Sequence, residues 1–489
     1  MSATDERAAA PSKETAAPFT KSQAKSTVLN DRLQQGNSID LDALELEDVP
    51  DYFHSPSEKF LVRNQAGRWL PHSMSFYRRV VASRGIKTKA DKGEVVTEFD
   101  HHVLEIQNAF DVTGYGPLCG RDAGFIDEGG TRYLVTEDMN LIEPILGNLP
   151  TIRAVLTGLF ESNESEEVGA AQMAAFLGWM KSSTEALRAG RQQQQQALAI
   201  CGVVGCGKSL VQHHIVTPCL AGRSADAERY FLKGNDFNAN LYKAEHLFLD
   251  DCQCSISIKD RLAFGAKLKG HTVGASVKGL HAKGRDEINV APWWRITITL
   301  NDAPENMMIL PPLNEDIADK IILLRASRFD FADSMQTSED RARFAAKIQS
   351  EIPAFIHFLL NIYQIPEEFA DPRRYNVATY HHPELKEALE RLSPESELLE
   401  LIDLCLADDL ESGAVWITAE KLEERIRGQH DRRADRIFTY QGACGKLLRR
   451  LLVKHPKRVT KARTSEANVW GIHPKSPSVE GVKGETAYY

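Results

Sequence analysis

The segment AICGVVGCGKSLVQHHI, Ala199 to Ile215, limits the possible folds more than any other part of the chain. An apolar run enters it, glycines turn it, and Lys208-Ser209 open a stretch with helical patterning. Residues 202–209 fit the spacing G-x-x-x-x-G-K-S, in which successive backbone N–H groups converge on phosphate oxygens and the following helix presents its positive end. On this basis Gly202, Val203, Val204, Gly205, Cys206, Gly207, Lys208 and Ser209 form a cradle for ATP. Lys208 would reach the β- and γ-phosphates, and the Ser209 hydroxyl would ligate Mg2+. A strand feeding such a loop and a helix leaving it imply an α/β fold, a P-loop NTPase core over residues 191–330.

Phosphate chemistry also requires an acid at the tip of a buried strand. AEHLFLDDCQ supplies Leu247, Phe248 and Leu249, then Asp250 and Asp251. Asp250 is expected to support the metal and Asp251 to activate the attacking water, although a one-residue slip of frame would exchange them. A third strand is expected in WWRITITLNDAPEN, where Arg295, Thr297 and Thr299 alternate with Ile296, Ile298 and Leu300. It ends at Asn301, an amide that could bond the γ-phosphate or the water.

The 489 residues suggest about three domains, at roughly 150 residues each. Hydrophobic residues make up 42% and charged residues 26%, an ordinary globular balance. With a net charge of −9, any nucleic-acid surface must be a local patch. Of the eight cysteines only Cys252 and Cys254 are close, and no zinc spacing occurs; apolar surroundings for most of them suggest a reducing cytosol. There is no apolar core of a signal peptide and no apolar run of the roughly 18 residues that a span needs. A cytoplasmic protein without a membrane partner is therefore expected.

Residues 1–37, rich in Ala, Ser, Thr, Lys and Pro, have the composition of a disordered tail. A small α+β domain is expected over 38–148, with hairpins in EKFLVRNQAGRWLP and AGFIDEGGTRYLVTED and a helix in SMSFYRRVVASRG. Helical periodicity marks 149–190 and 331–410. From 411 to 475 the chain turns basic, and 476–489 is a tail.

The order GVVGCGKS, FLDD, basic segment, then a strand ending in Asn301 resembles superfamily 3 helicases, an AAA+-like group. Within that group the chain looks like the helicase module of phage and plasmid primase-helicases, relatives of the poxvirus type, without the primase. NDFNANLYKAEHLFLDD, LHAKGRDEINVAPWWRITITLNDAPEN and LPPLNEDIADKIILLRASRF carry the likeness, over roughly 195–330. The resemblance implies a ring, a homohexamer, that moves on single-stranded DNA and opens a forked duplex, with a separate primase or polymerase as a possible partner. It also implies a hairpin between the acid and Asn strands that projects into the ring channel. Carried over, its tip lies around GLHAKGRD, with Lys283 the best match and His281 and Arg285 beside it. The charge pattern agrees: Lys267, Lys269, Lys278, Lys283 and Arg285 precede the first acid, Asp286. Two features depart from the pattern. Asp251 stands where members often have Glu, which shortens the reach to water. The arginine finger could be Arg325 or Arg328, of which Arg328 is favoured.

In the basic region, VWITAEKLEERIRG suggests a helix from Thr418 to Gly428, and YQGACGKLLRRLLVKHPKRV a second with Leu447, Leu448, Leu451 and Leu452 on one face. RVTKARTSEANVWGI suggests a two-stranded wing. Together they suggest a winged-helix module that binds DNA through Lys446, Arg449 and Arg450; an ATP-switched initiator or regulator that binds DNA without unwinding is the alternative function. The histidine pairs, including His213-His214, are expected to be surface or packing residues.

Overall fold

A computed structural model of the chain describes residues 50–475 apart from 129, 234–236, 253–257, 273–277, 282–287, 331–335 and 466. The chain is a mixed α/β protein of two compact units. One comprises the described part of Met1–Asp138 with Arg285–Val290, the other that of Met139–Gly284 with Ala291–Tyr489.

The larger unit is built on five strands, β1 (Ala197–Gly202), β2 (Ser224–Asp226), β3 (His246–Asp250), β4 (Arg295–Leu300) and β5 (Ile321–Ala326). All are parallel, in the order β5-β1-β4-β3-β2. ALAICG and RITITL are buried at every position, as a parallel sheet covered on both faces demands. Gly202 is set by packing. A Cβ there would lie 2.0 Å from the Ala326 carbonyl oxygen, so any side chain would push β5 off β1.

Chain direction then fixes where a crevice opens. From β1 the chain crosses toward the β2 edge, whereas from β4 it crosses to β5 at the other edge. With right-handed crossovers these connections lie on opposite faces, so the carboxyl ends of β1 and β4 flank a topological switch point.

Helices Pro150–Phe160, Glu166–Arg188 and Ser338–His357 pack Ile152, Trp179 and Phe355 into one core with Leu198 and Ile322 of the sheet. Trp179 is fully buried and donates from Nε1 to the Gln196 carbonyl at 2.8 Å, just before β1 begins. The helix after the phosphate-type loop is α-helical only over Lys208–Leu210 and Thr217–Cys219; Val211–Val216 between them is π-helical. Pro218 accounts for this, since it has no N–H to give to residue 214 and its ring crowds that carbonyl.

Toward the C-terminus come helices Pro394–Cys405, Ala419–Arg427, Arg432–Ile437 and Ala443–Lys454, with a three-stranded antiparallel sheet. Asn468–Ile472 is central, between Val415–Thr418 and Val459–Arg463. Thr418 caps the helix it precedes, accepting from the Lys421 amide at 3.3 Å, and Gly428 ends it. The two expected wing strands are present. Val415–Thr418, expected to be only the approach to a helix, is a third strand, because its pairing partner lies far downstream.

In the smaller unit, Trp69–His72, Lys59–Arg63, Tyr52–His54 and Asp111–Val112 form a four-stranded sheet in that order. Helices Met74–Ser83 and Glu98–Ala109 close a core around Tyr52, Phe60, Tyr77 and Phe99. The hairpin expected at 129–130 joins Gly124–Glu128 to Thr131–Val135. Among the described residues no helix is long and apolar enough to cross a membrane.

Candidate active site

The glycine loop with Lys208 and Ser209, the two acids and Asn301 meet at the carboxyl edge of the larger unit's sheet. Register makes this unavoidable: Cys201 pairs with Leu300 and Thr299 with Asp250, so the ends of β1, β4 and β3 are level. β4, which leads to Asn301, lies between the loop strand and the acid strand.

The loop turns through Gly205 at φ 74° and Gly207 at φ 112°, left-handed backbone that favours glycine. Its apex is open, with Val204 72% exposed, while the Lys208 side chain folds inward and is only 8% exposed. Lys208 Nζ donates to the carbonyls of Gly202 (2.7 Å) and Val203 (2.8 Å) and to Asn301 Oδ1 (3.2 Å). Asn301 Nδ2 donates in turn to Asp251 Oδ1 at 2.7 Å. Only this amide orientation satisfies both neighbours, so Asn301 couples the lysine to the second carboxylate.

Asp250 occupies the other half of the site. Its Oδ1 accepts from Ser209 Oγ at 2.9 Å and from the Thr299 hydroxyl, and its Oδ2 lies 3.7 Å from His213 Nε2. Asp251 takes φ 44°, a left-handed conformation that costs a non-glycine residue of order 1–3 kcal/mol. Its amide donates to the Thr299 carbonyl at 3.2 Å, which holds the turn, and its side chain is exposed. The two adjacent acids therefore point to different work, one braced by hydroxyls against the helix start, the other presented outward by Asn301.

The donor set suits a hard divalent cation. A Ser hydroxyl and an Asp carboxylate in contact are the oxygen ligands that Mg2+ takes together with substrate oxygens and water. No cluster of three or more His, Cys, Asp or Glu side chains suited to a metal is found among the described residues.

Thr299 and His213 are additions to the set expected from sequence. Thr299 was visible in the period-two alternation, which points it to the same face as Thr297. His213, expected to be a surface or packing residue, follows Ser209 by four residues, about one helical turn.

The remaining sequence candidates lie elsewhere. Arg325 on β5 is engaged by Glu384 (2.8 Å) and Glu164 (3.6 Å). Arg328, just beyond β5, is exposed and has no ion-pair partner among the described residues. Lys278 donates to the Gly270 carbonyl and to His271 Nδ1, and burial pulls its pKa down to about 8. The His281 amide donates to Asn238 Oδ1 at 2.8 Å. Lys283 and Arg285 lie outside the described residues. Near the C-terminus Lys446 and Arg449 are exposed, with the Lys446 ammonium 4.8 Å from the Tyr440 ring, whereas Arg450 pairs with buried Glu395 at 3.0 Å.

Structural neighbours of this chain include helicases. The NrS-1 C-terminal region is similar at 14% identity over 92% of this chain and 98% of that one, with a TM-score of 0.49. A structure described as the SCCmec type IV Cch active helicase matches at 9% identity over 84% and 73%, TM-score 0.29. The JCV helicase matches at 13% identity over 53% and 70%, TM-score 0.23. All three lie below a TM-score of 0.5, so the roles of the residues rest on the geometry above. No family model and no curated protein sequence matches the chain.

Proposed function

We propose that this chain hydrolyses ATP with Mg2+ and uses the energy to translocate on single-stranded DNA, as a ring-forming superfamily 3 helicase of a phage, prophage or plasmid replication system. One observation carries the reading: Lys208, Asn301 and Asp251 form one hydrogen-bonded chain, and Ser209, Asp250 and Thr299 form another, at the level ends of three adjacent strands.

With the triphosphate in the loop, Lys208 exchanges its two loop carbonyls for β- and γ-phosphate oxygens. Asp250 and Ser209 would hold Mg2+, which would supply positive charge against the phosphate oxygens. Asp251, steered by Asn301, orients the water and takes its proton as the β–γ P–O bond breaks, giving ADP and phosphate. Asn301 touches both the lysine and the base, so gain or loss of the γ-phosphate is felt at the tip of β4. Residues 278–287, immediately before that strand, carry the basic segment assigned to DNA.

Arg328 suits an arginine finger better than Arg325, whose guanidinium is already committed to Glu384 and Glu164. An arginine supplied across a subunit boundary contributes on the order of 10³ to 10⁵ in rate, so activity would require assembly. The C-terminal strand, helices and antiparallel ribbon follow a winged-helix order, and exposed Lys446 and Arg449 support duplex binding there. That surface also favours a second reading, an ATP-switched DNA-binding initiator.

The test is ATP turnover with and without single-stranded DNA. The helicase reading expects stimulation, and Lys283→Ala should abolish strand separation while nucleotide binding survives. Turnover indifferent to DNA would discard it, and stimulation without strand separation would favour the switch.

A further inference from the structure

The smaller unit holds a charge bias that the site above does not use. Between Lys59 and Ala90 the chain carries eight Lys or Arg residues and no Asp or Glu, within a protein of net charge −9. Two of these cations are committed, Arg84 to Asp51 at 2.6 Å and Lys87 to Asp91 at 3.1 Å. Arg68, Arg78 and Arg79 are exposed.

The same stretch exposes an aromatic platform. Trp69–His72 is the edge strand of its sheet, and Leu70 and His72, two residues apart, share one face of it. Helix Met74–Ser83 turns Tyr77 and Val81 inward and leaves Met74, Phe76 and Arg79 outside. Phe76 stacks on His72, with centroids 4.3 Å apart and planes at 19°, and the Arg79 guanidinium lies 5.2 Å from the Phe76 ring. Leu70, Met74 and Phe76 remain 40%, 42% and 41% exposed. Arg78, over buried Phe99 at 4.6 Å, is a further exposed cation on the same helix, and its charge helps to lower the pKa of Asp100.

We propose that this face docks single-stranded nucleic acid, one base stacking on the Phe76–His72 pair and the adjoining phosphates bound by Arg78 and Arg79. Charge complementarity selects a polyanion. The flat ring among the cations selects one with unpaired bases, since a duplex keeps its base faces covered. The inference goes beyond the proposed ATPase and does not need it, because docking requires no nucleotide.

The experiment is fluorescence anisotropy of labelled oligo-thymidylate and of a matched duplex against the full chain without ATP, over a salt series. Phe76→Ala should weaken oligo-thymidylate binding about 5- to 150-fold, the span expected for one lost base–aromatic stack, and leave the duplex nearly unaffected. Arg78→Gln/Arg79→Gln should lower the slope of log K against log salt by about 1.4, two phosphates at roughly 0.7 each. Lys208→Ala should change neither quantity, which separates this result from the fate of the ATPase reading. Phe76, Arg78 and Arg79 are exposed, and an unchanged melting temperature confirms that the variants fold. Two outcomes would overturn the proposal: unchanged affinity in Phe76→Ala, or equal losses for duplex and single strand.

Discussion

The rim of the central sheet and the layer just beneath it are built from the same three elements, yet they differ in kind. At the rim, the helix start gives Lys208 and Ser209, β3 gives Asp250, and β4 gives Thr299 and leads to Asn301. About one helical turn, or two to four strand positions, deeper, the same elements give Gln212, His246 and Thr297, all fully buried. Gln212 Nε2 donates to Thr297 Oγ1 at 2.7 Å, His246 Nε2 meets that hydroxyl at 2.7 Å, and His246 Nδ1 meets Thr217 Oγ1 at 2.7 Å. Thr217 spends its proton on the Gln212 carbonyl at 3.1 Å, so Nδ1 must be the protonated nitrogen of His246 and Thr297 must donate to Nε2. The lower layer is neutral, and its bonds run within itself. The rim holds formal charges, with Lys208 turned inward and Asp251 exposed and in a costly backbone conformation. On the proposed reading, comparable side chains serve fold specificity below and chemistry above.

Substitutions should separate the layers. Lys208→Ala should cut kcat/KM for ATP by about 10³, as expected when a preorganised phosphate clamp is lost, and shift the unfolding midpoint little by comparison. Asn301→Ala should cost about 10² in turnover, because Asp251 loses the group that aims it. Thr297→Val should reverse the pattern, with turnover unchanged and about 1–3 kcal/mol lost in urea unfolding, since Gln212 and His246 are left without their shared partner. If Thr297→Val slows turnover as much as Asn301→Ala does, the distinction between the layers fails.

The smallest effect concerns pH. Burial pulls the His246 pKa down to about 3 from an ordinary 6.5. The unfolded chain therefore binds the extra proton between those values, and stability falls as pH drops from 6.5 toward 3, by at most about 1.4 kcal/mol per pH unit from this group. Urea midpoints at pH 7 and pH 5 should converge more closely in His246→Gln than in the unaltered protein. His271, also lowered to about 3 by burial, sets a residual slope common to both.

The rim was largely legible in the sequence because its signals are local. A glycine spacing, two acids after an apolar run and the alternation of RITITL each declare themselves within a few residues. The deeper layer was not, since Gln212, His246 and Thr297 meet only once three distant segments align, and no short pattern sets a structural histidine apart from a surface one. The same limit hid the strand Val415–Thr418, the capture of Arg450 by Glu395, and the inclusion of Ile288–Val290 in the smaller unit. The π-helical stretch had a local cause in Pro218, a signal that periodicity alone passes over.

For the proposed function, energy released at the rim must be delivered to a DNA strand. Strand separation of a forked duplex, measured with ATP and Mg2+ for the unaltered protein and Lys208→Ala side by side, tests this most directly. Unwinding by the former and none by the latter is the expected result. Equal unwinding by both, or none by the unaltered protein despite DNA-stimulated ATP turnover, would contradict it.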